Sequence, residues 1–269
     1  MADAPPEPSG AATRRLADGR GDLLVREEPL LLVIHGQQLL TMRTPGRDED
    51  LALGFLLGEG IVRQPQDVSS MRALAGDPAA QRADEMHVTL AHEPDPLARS
   101  RLARTHEIRS SCGVCGVADP ATVLEGTPPL LPGVPRVPAS RLSALVRELH
   151  ERQSLFAATG GSHGALVAGG DGSVWGHGED VGRHNALDKA IGQAARSGAD
   201  LGAAIAILSG RAGYDLVVKA LRVRIPIVVS VSAPSSLAFD LCEGAGATLV
   251  GFARGDRLQV YTGAGRIVP

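Results

Sequence analysis

At 269 residues the chain is long enough for one large or two small domains with a sizeable core. Its 27 basic and 30 acidic residues leave a net charge of −3, and aromatics make up only 3%, which excludes an extended nucleic-acid surface and a base-stacking platform but leaves room for a local basic pocket. Three cysteines build no disulfide framework and fit a reducing, cytoplasmic compartment, and no apolar run reaches the roughly 20 residues that span a bilayer.

Residues 1–17 begin rich in Ala and Pro, lack an apolar core and read as a flexible tail. Arg14-Arg15 is followed by Leu16-Ala17-Asp18-Gly19 and not by the hydrophobic run of an export signal. A region from 18 to 139 follows. In it, Leu23–Ile34 and Gln38–Arg43 predict a hairpin around His35-Gly36. Thr44-Pro45 reads as a helix start, with Asp48, Glu49 and Asp50 suited to its positive end and Leu51, Phe55 and Leu56 on its apolar face. Glu85–Leu90 predicts a strand. A cysteine-bearing loop of about 105–120 comes next, and Pro128 to Pro138 reads as a linker.

From 140 to 269 the pattern is more regular. Ser140 is placed to cap a helix running to Gln153. His163–Ala168 and Ser173–His177 predict strands joined by Gly169-Gly170-Asp171-Gly172, and Asn185–Arg196 a helix. Strands at Ala203–Leu208, Ile225–Val231 and Thr248–Phe252 then alternate with helices at Tyr214–Val223 and Ser236–Glu243, the pattern of a parallel α/β sheet with crossover helices. Leu258–Tyr261 adds a last strand.

That topology predicts a binding edge, because ligands of open α/β sheets sit beyond the carboxyl ends of the parallel strands. Five polar, Gly-rich segments should meet there: Thr159–His163, Glu179–His184, Ser209-Gly210-Arg211, Ser232-Ala233-Pro234 and Ala253–Arg257. Arg183, Arg211, Arg254 and Arg257 offer forked donors, and the helix starts after Val181, Ser209 and Ser235 add positive potential, which suits an anionic, phosphate-bearing ligand. Paired instead with Asp180, Asp215 and Asp256, the arginines would be structural. His163 and His184 are placed to donate to phosphate or carry protons, or else to be hydrogen-bonded structural histidines. No Walker A loop and no GxGxxG after a strand is present.

Ser111-Cys112-Gly113-Val114-Cys115-Gly116 holds two of the three cysteines. A thioredoxin-like pair should open a helix after a strand, whereas the glycines here favour a mobile loop. A four-cysteine zinc site is excluded for want of a second pair, but a mixed site with His177, and Glu179 as acid/base, resembles the elements of zinc deaminases. A sulfur relay needs an accessible thiol of lowered pKa, for which Arg109 is a nearby cation. Two buried small residues are the remaining reading. Cys242, among Leu237, Ala238 and Leu241, reads as a core thiol.

These segments resemble the FdhD/NarQ family of formate dehydrogenase accessory sulfurtransferases. The resemblance rests on Ser111–Gly116, on Asp180–Lys189 (DVGRHNALDK), on Ser232-Ala233-Pro234, on Gly251–Arg257 (GFARGDR) and on Thr44–Phe55. It runs from about Glu28 to Ile267 and implies a cytidine-deaminase-like three-layer core in the C-terminal half and a smaller β-rich N-terminal region carrying the CxxC. It also implies a homodimer that takes persulfide sulfur from a cysteine desulfurase on Cys112, with Cys115 assisting. The sulfur then passes to a bis(molybdopterin guanine dinucleotide) molybdenum or tungsten cofactor bound for formate dehydrogenase. Phe252, Ala253, Arg254, Gly255, Asp256 and Arg257 would contact that cofactor, together with Arg183, His184, Ser209, Arg211, Ser232 and His163. GDP-like nucleotides would mimic part of it, and no permanent metal is implied. The alternatives that remain are a zinc-dependent deaminase-like hydrolase and a non-catalytic cofactor chaperone.

Overall fold

A computed structural model describes residue 8 and residues 10–104, 123–255 and 257–269. Cys112 and Cys115, the loop that carries them, and Asp256 lie outside the described residues.

Strands β1 (Ala11–Arg15) and β2 (Gly21–Val25) pair antiparallel. Ala11–Arg15 therefore forms a strand where a tail is expected. The turn between them contains Asp18-Gly19, with Gly19 at φ 87°, a local hairpin signal outweighed in the sequence by the Ala/Pro-rich residues before it. The segment expected as one strand from Leu23 to Ile34 is two, because β2 pairs with β1 whereas β3 (Glu28–Ile34) pairs with β4 (Gln37–Arg43). The β3–β4 turn is the expected one, with both His35 and Gly36 at positive φ.

Helix α1 (Asp48–Gly58) starts at Arg47 and not at Thr44. The Thr44 hydroxyl is engaged elsewhere, accepting from the Val181 N–H at 3.0 Å. Strands β5 (Val68–Leu74) and β6 (Asp84–Leu90) complete a four-stranded sheet ordered β4-β3-β6-β5, and α2 (Pro96–Arg104) follows. β5 and α2 mix polar and apolar residues without a clear period, so the sequence pattern passes over both.

After β7 (Val137–Pro138), helix α3 (Ala139–Arg152) begins with Pro138 at its cap. Ser140 lies within the first turn and makes no cap bond. The rest runs α4 (Ser154–Thr159), β8 (His163–Gly169), β9 (Val174–Asp180), α5 (Arg183–Arg196), β10 (Ala204–Leu208), α6 (Tyr214–Arg222), β11 (Ile227–Ser230), α7 (Ser236–Gly244), β12 (Thr248–Arg254), β13 (Arg257–Thr262) and β14 (Ile267–Val268). The large sheet is ordered β13-β12-β11-β10-β8-β9. It is mixed: β10, β11 and β12 are parallel, β8 pairs antiparallel with β10, and the short hairpins β8–β9 and β12–β13 force antiparallel pairing of the outer strands.

Helices cover both faces of this sheet. Along β10, Ile205 and Ile207 face Leu142, Leu145 and Leu149 of α3, while Ala204, Ala206 and Leu208 face the core that includes Leu187 and Ala190 of α5. That second core also takes in Leu30, Leu32 and Leu51 from the N-terminal region. Helices α1 and α5 cross at glycines: a Cβ on Gly54 would lie 1.8 Å from the Asp188 carbonyl, and one on Gly192 1.9 Å from that of Asp50. Any larger residue would separate the two helices and open that shared core.

Candidate functional site

The topology brings the five segments to one edge. β10, β11 and β12 end there. β8, antiparallel to β10, begins there at His163, and β9, paired His163↔Asp180, ends there. Helices α5, α6 and α7 follow those strand ends, so their positive N-termini point at the same rim.

The DVGRHNALDK segment is held by its own polar residues. Asp180 is fully buried. Its Oδ2 accepts from Lys189 Nζ at 2.7 Å and from the Thr44 N–H at 3.1 Å, and its Oδ1 from the Gly182 N–H at 2.9 Å and Asn185 Nδ2 at 3.1 Å. Every lone pair of a buried carboxylate is thus used, which fixes the start of α5 against the residues before α1. Gly176 and Gly178 let α5 lie directly on β9, since a Cβ at either would meet a helix carbonyl at about 2.0 Å or less.

This anchoring presents Arg183 and His184 to the rim. His184 is 3% exposed, and its Nε2 hydrogen-bonds Asp215 Oδ2, which also receives Arg183 at 3.3 Å. Burial opposes the charge on Asp215, but the hydrogen bond and charge of His184, aided by Arg183, outweigh it and hold the carboxyl down at about 2. A depressed carboxylate contributes stability that is present above its unfolded pKa, near 3.8, and is lost as pH falls through the folded value. Asp215→Asn is therefore expected to cost about 2 kcal/mol at pH 7, with the gap to wild type closing as pH falls from about 5 toward 2. Urea unfolding across that range measures it, and a gap that does not depend on pH contradicts the ion pair.

His163 lies beside Gly210, where a Cβ would sit 3.6 Å from Nδ1. Burial, then Arg183 and His184, push its pKa below the ordinary histidine value, which favours the neutral ring near pH 7. Ser209 is half-buried, and its Oγ accepts from the Gly164 N–H at 2.8 Å. The Ser232 carbonyl accepts from the Phe252 N–H at 3.1 Å, tying the ends of β11 and β12 together.

The arginines divide. Arg183 is paired with Asp215, as its structural reading requires, whereas Asp180 serves a lysine and not an arginine. Arg254 Nε donates to the Val231 carbonyl at 3.1 Å, and neither it nor Arg211 or Arg257, all exposed, makes an ion pair with a described residue. Phe252 is 45% exposed with φ 51°, left-handed backbone in which a bulky residue is strained, and lies where the β12–β13 register shifts between Gly251 and Arg254. Ala253 is fully buried in the α3-side core, and Gly255 turns with φ 56°.

The HxE reading fares differently. Glu179 Oε1 accepts from Phe156 N–H and Ser162 Oγ at 2.7 Å each, and Oε2 from Leu155 N–H at 3.1 Å, so its carboxylate caps α4. His177, three residues before Asp180, is pushed down to about 4 by burial and then by Arg47 and Arg152, which keeps it neutral. Cys242 is fully buried and its thiol is pushed up to about 12, as a core residue.

Beside Arg183 and His163 opens a cavity of about 570 Å³ whose buried end holds Glu59, Asp188 and Lys219. Lys219 Nζ reaches Glu59 at 2.8 Å and Asp188 at 3.1 Å, and Arg222 reaches Glu59 at 3.0 Å. Burial pushes Asp188 up to about 6 against the pull of Lys219. Sequence reasoning gave these residues no role. The available signal was Asp188, a charge one helical turn after His184 on a helix face otherwise built of Leu187, Ala190, Ile191 and Ala194. A larger cavity, of about 650 Å³, lies where α5 and α6 end, and none of the sequence-predicted site residues lines it.

A family model described as the FdhD/NarQ family matches residues 25–268. A relative named sulfur carrier protein FdhD from Anaeromyxobacter dehalogenans (strain 2CP-C) is 40% identical over 274 residues, 97% of this chain and 95% of its own. Another of that name, from Mycobacterium tuberculosis (strain ATCC 25618 / H37Rv), is 43% identical over 256 residues, 92% of each chain. A crystal structure from Desulfotalea psychrophila, whose description names a formate dehydrogenase accessory protein, superposes with a TM-score of 0.72 at 24% identity and covers 96% of this chain and 98% of its own. No helix among the described residues is long and apolar enough to cross a membrane.

Proposed function

The chain belongs to the FdhD/NarQ family, and from that premise we propose that it is a sulfur carrier serving formate dehydrogenase. In this reading Cys112 takes sulfur from the persulfide of a cysteine desulfurase. Its thiolate attacks the sulfane sulfur, a new S–S bond forms, and the desulfurase cysteine leaves as thiolate. Cys115 assists: its thiolate, or a thiol of the cell in its place, attacks Cys112 Sγ, a disulfide forms, and the terminal sulfur leaves as sulfide to a bis(molybdopterin guanine dinucleotide) cofactor held at the rim; a thiol reductant of the cell then reopens the disulfide and frees Cys112 again. The cofactor is cargo, and the protein works as a cytoplasmic homodimer. The names of the relatives support the sulfur-carrying half of this reading.

The observation that carries the acceptor half is the trio Arg211, Arg254 and Arg257, whose charges no described acid neutralises, beside the helix N-termini. Phosphates would satisfy both. Phe252, exposed in strained backbone, would stack on a flat ring of the cofactor. The C-terminal half, 140–269, would use a cytidine-deaminase-like fold for sulfur transfer instead of deamination, since fold and chemistry are separable. The engaged carboxylate of Glu179 disfavours the hydrolase alternative, which needs it free as acid/base.

GDP tests the rim. Phe252→Asn keeps a residue that tolerates left-handed backbone and removes the ring. It is expected to fold with wild-type stability to within about 1 kcal/mol and to bind GDP about 10-fold more weakly in calorimetry. Unchanged GDP affinity removes Phe252 from the site.

A further inference from the structure

The sequence marks Pro128 to Pro138 as a linker, and the structure makes it a strap with its polarity reversed. Residues 126–135, Gly-Thr-Pro-Pro-Leu-Leu-Pro-Gly-Val-Pro, hold no charged side chain in a chain that is 21% charged. A surface connection ordinarily turns polar side chains to water. This one turns backbone carbonyls inward, where arginines hold them. Arg222 Nε donates to the Val123 carbonyl at 3.2 Å, Arg101 Nη2 to that of Glu125 at 2.6 Å, and Arg266 to those of Leu131 and Val134 at 2.8 Å each. Arg266 is itself buried and also donates to the Gly246 carbonyl at 2.7 Å.

What faces water is apolar. Leu131 is 60% exposed and Val134 45%, and Pro128, Pro129 and Pro132 are exposed beside them. One exposed aliphatic residue is ordinary, but a run of apolar residues on a rigid support marks an interaction surface. The support here is rigid on two counts. Pro128, Pro129, Pro132 and Pro135 have fixed φ, and the carbonyls are pinned. A partner that meets such a surface has little left to order, which lowers the cost of docking.

Position points to the partner. The strap follows Val123, where the chain returns from the segment that carries Cys112 and Cys115. Helix α2, which precedes that segment, lies against the strap: Arg101 holds the Glu125 carbonyl, and a Cβ on Gly126 would meet Leu97 at 2.9 Å. The strap then crosses the edge of the large sheet opposite the rim. It passes the end of α6 at Arg222, the end of α7 at Gly246 and the β8–β9 turn, where a Cβ on Gly170 would lie 3.7 Å from Pro135. The rim is assigned to the sulfur acceptor, which leaves this edge for the donor. A protein donor has to bring its persulfide within bonding distance of Cys112, and the strap is the apolar surface beside both stems of that segment.

We infer that the strap, with Leu131 and Val134 as its anchors, is the docking surface for the cysteine desulfurase. The matching face is an apolar depression with an acid set to meet Arg136, which is exposed and makes no ion pair with a described residue. The inference rests on the proposed reading of the chain as a sulfur carrier loaded by that enzyme, and adds the surface at which loading takes place.

The test follows sulfur loading of wild type and of Leu131→Ser/Val134→Ser by intact-protein mass spectrometry, with catalytic desulfurase, excess cysteine and rising concentrations of this protein. The double variant is expected to melt with wild type and to raise the KM for this protein by about 10-fold with kcat unchanged. Glutathione persulfide serves as a second donor. Its sulfane sulfur takes the same attack by Cys112, and glutathione leaves as thiolate, but it needs no docking surface, so wild type and variant should load from it at one rate. An unchanged KM overturns the inference. Equal slowing with both donors also overturns it, by placing the effect on the cysteines themselves. A double variant that turns a dimer into monomers in sedimentation velocity assigns the surface to a second copy and overturns it too. Should the double variant not fold, Leu131→Ser alone decides, with KM raised by about 5-fold, and no rise overturns the inference. Wild type that takes sulfur from neither donor overturns the carrier reading beneath it as well. Wild type and variant that load alike from both donors leave that reading standing and overturn only this one.

Discussion

In a host lacking its own copy of this protein, Cys112→Ala is expected to leave formate dehydrogenase activity at the level of the empty host. Sulfane sulfur travels as one half of an S–S bond, and alanine has no atom with which to make it. The effect is therefore a loss of the step and not a slowing. Cys115→Ala should retain part of the activity if the second thiol only assists. In the proposed relay, Arg109, three residues before Cys112 in sequence, would supply a cation that favours the thiolate. Cys242→Ala is the matched control: this thiol is fully buried and its pKa is pushed up to about 12, so it takes no part in exchange, and rescue should match wild type. Full rescue by Cys112→Ala and Cys115→Ala would instead make the protein a cofactor chaperone that needs no thiol.

Lys189→Met is expected to be the most destabilising single change in the site region, by about 3–5 kcal/mol. Lys189 is 2% exposed and Asp180 fully buried, and their 2.7 Å contact is the only cationic compensation that any described residue gives that carboxylate. Methionine fills similar volume but leaves an unpaired charge inside the protein. Thermal unfolding should fall by about 10 °C for a chain of this size. Asp180→Asn combined with Lys189→Met should recover much of the loss, because no buried charge is then orphaned. A single variant that melts with wild type would mean that the pair does not hold α5 in place.

The alternating C-terminal half was legible because its strands are short apolar runs and its helices carry capping or glycine signals. The convergence of five segments on one edge followed from that order alone. The sheet's mixed character was less legible in the outer strands. Only the hairpin β8–β9 was read as antiparallel, while β13 looked from periodicity like any other strand. Hairpin β1–β2 hid behind Ala- and Pro-rich residues, and β5 because its side chains are largely exposed. Among site residues, Arg211, Arg254 and Arg257 are exposed charges without acid partners among the described residues. Arg183 and His184 proved to share Asp215. Lys189 and Asp188 were visible only as letters of a motif. What separates them is three-dimensional: one meets Asp180 from β9, the other meets Lys219 from α6, and neither partner lies within a helical turn in sequence. The strain at Phe252 has no sequence signature, since only the backbone angle reveals it.

Intact-protein mass spectrometry after incubation with a cysteine desulfurase and cysteine tests the sulfur-carrying claim most directly. One added sulfur is expected on wild type, removed by reductant, mapped to Cys112 by peptide analysis, and missing from Cys112→Ala. Equal sulfur loading on a variant that lacks both Cys112 and Cys115 would contradict it.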